Sequence, residues 1–252
     1  YPSLYLRLVA ALSGRDESVL YIGRLVSLLG TLLGVGALSY GAARATRRPL
    51  AGVLTGLLCL CCIRISAHAV LCYPDGLSWG VGACGVALVS LRTRGWPVLA
   101  GLLMGLSLCI KHSLIVLPMG FALYLLVFHK NRQHLIVFMV SAGAILLTEI
   151  GKPNAISLLV FASSSRWSLK EFVANFAMYI MPTLFCLIPS AWLVTRYGSL
   201  GKSERAFVRL WLCILCCGAI WIVALGRTAG GFNYTMELAT ASSVLAVVVF
   251  TH

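Results

Sequence analysis

Ser18-Val19-Leu20-Tyr21-Ile22-Gly23-Arg24-Leu25-Val26-Ser27-Leu28-Leu29-Gly30-Thr31-Leu32-Leu33-Gly34-Val35-Gly36-Ala37-Leu38-Ser39-Tyr40-Gly41-Ala42-Ala43 carries a single charge and then meets Arg44, Arg47 and Arg48. Coiled as a helix, such a stretch rises roughly 39 Å, enough to cross a hydrocarbon core of about 30 Å. The rest of the chain has the same character. Hydrophobic residues make up 60% of the sequence and charged residues 11%, values outside the range of soluble domains. A mean hydropathy of +0.95 agrees.

Working outward, apolar segments recur at about 18–43, 50–71, 76–91, 97–110, 113–128, 134–150, 173–195, 207–226 and 236–251. The sequence therefore predicts an all-α, polytopic transmembrane helical bundle of about nine spans, forming one domain over 1–252. The pair 97–110 and 113–128 is short, and predicts either two tilted helices broken at Lys111-His112 or one re-entrant element. Residues 1–17 are mildly amphipathic and end in Ser13-Gly14-Arg15-Asp16-Glu17, a pattern suited to lying along an interface. A start at Tyr1 and a stop just after an apolar run predict a piece of a longer chain.

Positive charge sets the orientation, because Lys and Arg are retained on the cytoplasmic side. Arg44, Arg47 and Arg48, then Arg92 and Arg94, then Lys130 and Arg132, then Arg196, Lys202, Arg205 and Arg209 fall on alternate connections. These eleven of the 20 basic residues account for much of the net charge of +13 by topology, so nucleic acid is not an expected partner. The opposite, extracytoplasmic face then carries Tyr1-Pro2, Leu71 to Asp75, Lys111-His112, residues 151–172 and the connection before Glu237. Among only seven acidic residues, Asp75 and Glu237 stand where a loop re-enters an apolar helix. A carboxylate there either caps a helix N-terminus or serves a function.

Tyr1-Pro2-Ser3-Leu4-Tyr5, Gly23-Arg24-Leu25-Val26-Ser27-Leu28-Leu29, Tyr73-Pro74-Asp75, Gly101-Leu102-Leu103-Met104-Gly105-Leu106 running into Lys111, and Asn233-Tyr234-Thr235-Met236-Glu237-Leu238 follow one another in a telling order. In that order they resemble landmarks of the GT-C membrane glycosyltransferases, in the bacterial branch similar to the dolichyl-phosphate-mannose-protein mannosyltransferases and aminoarabinose transferases. The resemblance implies transfer of a sugar from a polyprenyl-phosphate donor to a lipid, glycan or protein acceptor on the extracytoplasmic face.

It also implies roles. Asp75 matches the acidic position of an Arg-Pro-Asp motif and becomes the catalytic carboxylate, as base or as holder of a divalent metal; the resemblance leaves any further cofactor open. Tyr73 stands where the family has arginine, which removes a cation usually found beside that carboxylate. Lys111 matches a Thr-Lys motif and becomes the donor-phosphate partner, with Arg24 and Arg64 as further candidates. Tyr1, Pro2, Tyr73, Pro74, His112, Asn233, Tyr234 and Glu237 would line the cavity.

Other patterns carry less. Cys213-Ile214-Leu215-Cys216 has CxxC spacing but sits in an apolar run with no second pair, so the cysteines read as small apolar residues. His68, His129 and His134 suggest no role. Gly30-x-x-x-Gly34, Gly52-x-x-x-Gly56, Gly76-x-x-x-Gly80 and Gly101-x-x-x-Gly105 have the spacing that lets helices approach closely in lipid. A secondary transporter would share the many spans and sparse charge, yet no internal repeat supports one. A catalytically inactive relative is the other alternative.

Overall fold

The computed structural model describes residues 3–14, 18–91, 95–129, 132–150, 167–179, 188–189, 191–193, 195–223 and 235–252. In chain order its helices are α1 (Ser3–Ser13), α2 (Val19–Thr46), α3 (Pro49–Cys61), α4 (Ile63–Val70), α5 (Pro74–Leu91), α6 (Trp96–Ile110), α7 (Val116–Phe128), α8 (Arg132–Ile150), α9 (Leu169–Tyr179), α10 (Lys202–Trp221) and α11 (Met236–Thr251). Prolines mark several starts. Pro49, Pro74 and Pro97 lie in first turns, where a missing N–H leaves no hydrogen bond unmade.

The segment expected to run unbroken over 50–71 is two helices, α3 and α4, with Cys62 extended between them. No Pro or Gly signals that break; both helices pack on α2, and the interruption lets the chain follow it. The expected break at Lys111-His112 is present. The α6 helix packs on α5 and α8, whereas α7 packs chiefly on α10, so the two are separate helices with separate partners. Helix α1 buries Tyr5 and Val9 and packs on α2 and α6.

Among the described residues, α2 is the one helix long and apolar enough by itself to cross a bilayer. Apolar α3, α6, α7 and α11 have 13, 15, 13 and 16 residues. The figure of nine crossings therefore rests on the sequence pattern and not on helix length. Polarity is distributed as a lipid-facing bundle requires. Leu20, Val140, Leu147, Ile220 and Phe250 are exposed, while Ser27, Thr31, Asp75, Glu237, Thr240 and Ser242 are buried. Helix α11 occupies the centre, with every residue from Met236 to Val249 buried, and Thr240 on it accepts a 3.0 Å hydrogen bond from the Trp79 indole of α5.

The glycine pairs set the closest helix contacts. A Cβ on Gly80 would lie 1.8 Å from the Gly30 carbonyl oxygen, and one on Gly34 would lie 2.7 Å from the Gly80 Cα. So α2 and α5 touch backbone to backbone along Gly30, Gly34, Gly76 and Gly80. Gly52 and Gly56 bring α3 onto Ser39 of α2, and Gly101 and Gly105 bring α6 onto Phe138 and Ala142 of α8. The packing role expected from the spacing is what these glycines perform.

Gly80→Ala should force α2 and α5 apart, at a cost of about 1–3 kcal/mol. Gly143→Ala, on α8 with nothing within 4 Å of the new methyl, should be neutral. Thermal unfolding of both variants in detergent checks the difference; equal melting temperatures would show that the α2–α5 contact is loose.

Candidate active site

Helix α5 opens with Pro74 and Asp75, so the carboxylate stands in the first turn, where the helix dipole favours negative charge. Asp75 is 2% exposed. Its Oδ2 accepts a hydrogen bond from the Lys111 Nζ at 3.3 Å and lies 4.0 Å from the His68 Nδ1. Its Oδ1 is buried without a hydrogen-bond partner among the described residues. The side chain therefore reaches away from its own helix toward the α6–α7 break. Sequence reasoning gave the buried ammonium an anionic ligand as its partner; the structure supplies Asp75. Two charges taken from water together are tolerable where one alone is not.

Around this pair lies a second polar layer. The Tyr5 hydroxyl of α1 donates to the Gly23 carbonyl at 2.9 Å and lies 3.2 Å from the Ser27 Oγ and 3.8 Å from the Cys72 Sγ. Ser27 in turn donates to the Tyr73 carbonyl at 2.5 Å. These bonds tie the loop before α5 to α1 and α2, which fixes where Asp75 emerges. Burial pushes the Tyr5 phenol up to about 12, and the charge of Asp75 acts in the same direction, so Tyr5 remains a neutral donor.

Glu237 makes its contacts within the bundle. It is fully buried on α11, and its two oxygens accept the amides of Val116 at 3.0 Å and Leu117 at 2.8 Å, the first two residues of α7. Pro118 has no N–H, and the Met119 amide donates to the Ile115 carbonyl. All four N-terminal positions of α7 are thus accounted for, two by a carboxylate from another helix. The sequence suggested that Glu237 caps a helix; the helix is α7, not its own.

Of the remaining expected residues, Tyr73 is 42% exposed, and its ring lies 6.2 Å from that of His68. His112 is exposed at the same break as Lys111; desolvation on its packed side and then the Lys111 charge hold its pKa below the ordinary value. Arg24 is on an exposed face of α2. The Arg64 side chain, Tyr1, Pro2, Asn233 and Tyr234 lie outside the described residues, as do Arg92, Arg94 and Lys130. His68, given no role from the sequence, joins the site. Its signal was available: a histidine seven residues before Asp75, buried where an apolar run ends.

A metal at Asp75 has little to hold it. His68 is the second possible ligand, but the Lys111 ammonium engages one of the two carboxylate oxygens, and no group of three His, Cys, Asp or Glu forms among the described residues. A cavity of about 710 Å³ lies not here but around Arg44 and Arg47, at the far end of α5.

No family model and no curated protein matches the chain. A solved structure does, that of ArnT from Cupriavidus metallidurans in the apo state, with a TM-score of 0.59 over 91% of this chain and 18% sequence identity. The chain spans 45% of that protein's length. At this identity the likeness shows the fold alone: the helices described here are arranged as in that structure.

Glu237→Gln replaces one acceptor oxygen by an amide that cannot accept from Val116 or Leu117. The loss should be about 1–3 kcal/mol, the cost of leaving a buried donor unsatisfied. A lowered melting temperature checks it, and an unchanged one would mean that water reaches the start of α7.

Proposed function

We propose, from the GT-C-like membrane fold as premise, that this chain belongs to an enzyme that transfers a sugar from a polyprenyl-phosphate donor to an acceptor hydroxyl on the extracytoplasmic face. The observation that carries the reading is the Asp75–Lys111 pair, whose second carboxylate oxygen has no hydrogen bond among the described residues. Structural pairs usually spend their remaining lone pairs on further hydrogen bonds. Here Oδ1 spends none among the described residues, so it is available to a hydroxyl.

Each group then has a role that its chemistry fits. Asp75 Oδ1 accepts the proton of the acceptor hydroxyl as that oxygen bonds to the glycosyl carbon. The bond from that carbon to the donor's phosphate oxygen breaks, and its electron pair leaves on the phosphate. Lys111 has three N–H donors, so the ammonium that holds Asp75 Oδ2 also has the valence to hold a phosphate oxygen as its charge grows. Oδ2 keeps Lys111 in place, and with Tyr73 where an arginine is expected, Lys111 is the lysine or arginine that contacts Asp75 among the described residues. The extracytoplasmic side is the one that the alternation of basic connections along the sequence favours for this pair.

Asp75→Asn in the full-length enzyme should lower turnover by at least about 10²-fold. It also leaves Lys111 buried without its partner, which alone would destabilise by about 3–5 kcal/mol. Asp75→Asn combined with Lys111→Gln removes both charges and should recover much of the melting temperature while turnover stays down. If the double variant recovers turnover as well, the pair is structural and the assignment fails.

A further inference from the structure

The far end of α5 carries a different chemistry. There α2 ends, α3 begins and α10 begins, and between them lies the cavity of about 710 Å³ lined by Tyr40, Arg44, Arg47, Ser90 and Ser203, among others. Asp75 and Ser90 lie fifteen residues apart on one straight helix, hence roughly 22 Å along its axis. This is not part of the site described above.

We propose that this cavity binds a phosphate group, presented by an anionic lipid headgroup or by a small phosphorylated solute. Arg44 and Arg47 are both exposed on its wall, and neither is in an ion pair with a described residue. Guanidinium forks of this kind match phosphate geometry. The Ser90 hydroxyl is buried without a hydrogen-bond partner among the described residues, and so offers a donor into the same space. Ser203 stands in the first turn of α10, a helix of 20 residues whose positive dipole end faces the cavity. The nearest carboxylate on that turn, Glu204, is engaged: its Oε2 accepts the Gly201 amide at 2.8 Å. Arg47 is held in the left-handed region, at φ 58°, a conformation usually left to glycine; the position presents a charge instead of the easier backbone. A basic cavity between helix ends at a membrane boundary is the setting in which lipid phosphates are recognised.

The proposal does not depend on the glycosyl-transfer reading, and its test does not measure transfer. The full-length protein, purified in detergent, is analysed by native mass spectrometry with phosphatidylglycerol or phosphatidylcholine, and by thermal shift with inorganic phosphate. Compared are wild type, Arg44→Gln/Arg47→Asn and Arg132→Gln; asparagine tolerates the left-handed backbone, and Arg132 is a basic residue outside the cavity. Phosphatidylglycerol should be retained over phosphatidylcholine, with retention falling by about fivefold per arginine removed and unchanged in Arg132→Gln. A phosphate shift lost in the double variant, without selective lipid retention, would make the ligand a solute. Equal retention of both lipids with no phosphate shift, signals that survive in the double variant, or an equal loss in Arg132→Gln would each overturn the proposal.

Discussion

Taking one carboxylate and one ammonium out of water together is the constraint on which the rest of this structure turns. Asp75 comes from the start of α5 and Lys111 from the end of α6, so the two can meet at 3.3 Å only if both helices are held in register. An ion alone in this interior would cost several kcal/mol. The pair therefore penalises every arrangement of α5 and α6 but the one that joins them.

Two other devices serve that register without any charge pair. The glycine contacts between α2 and α5 fix the height and rotation of α5 to the resolution of a methyl group, and so fix Asp75 at its head. Glu237 reaches from the central α11 to the first two amides of α7 and anchors the far side of the break. Lys111 is thus held between a helix end supported by α8 and one capped by α11. A site built on such supports is pre-organised, which is what charge stabilisation in a transition state demands.

Much of this was legible in the sequence, and what was not has physical causes. Apolar run length gave an all-helical bundle with apolar side chains outward, which is what the described residues form. The glycine spacing gave the helix contacts, because small-residue periodicity is a local property of one helix face. Asp75 and Lys111 stood out because each is a charge beside an apolar run. That they face each other was not legible, since 36 residues separate them and only packing brings them together. The split at Cys62 escaped because no proline or glycine marks it. Glu237 was seen as a cap but assigned to its own helix, because a carboxylate that caps at a distance of 121 residues leaves no local pattern. His68 was passed over although it stands seven residues before Asp75 at the end of an apolar run, because its nearness to the carboxylate depends on how the loop between them folds.

The central claim, that Lys111 holds a phosphate while paired with Asp75, is tested most directly by titrating a short-chain polyprenyl phosphate into the purified full-length protein and following its ³¹P resonance. Saturable binding in wild type that weakens by at least about tenfold in Lys111→Gln, and is retained in Asp75→Asn, is the predicted result. Equal binding in wild type and Lys111→Gln would contradict it, and would reduce the buried pair to a means of holding α5 against the α6–α7 break.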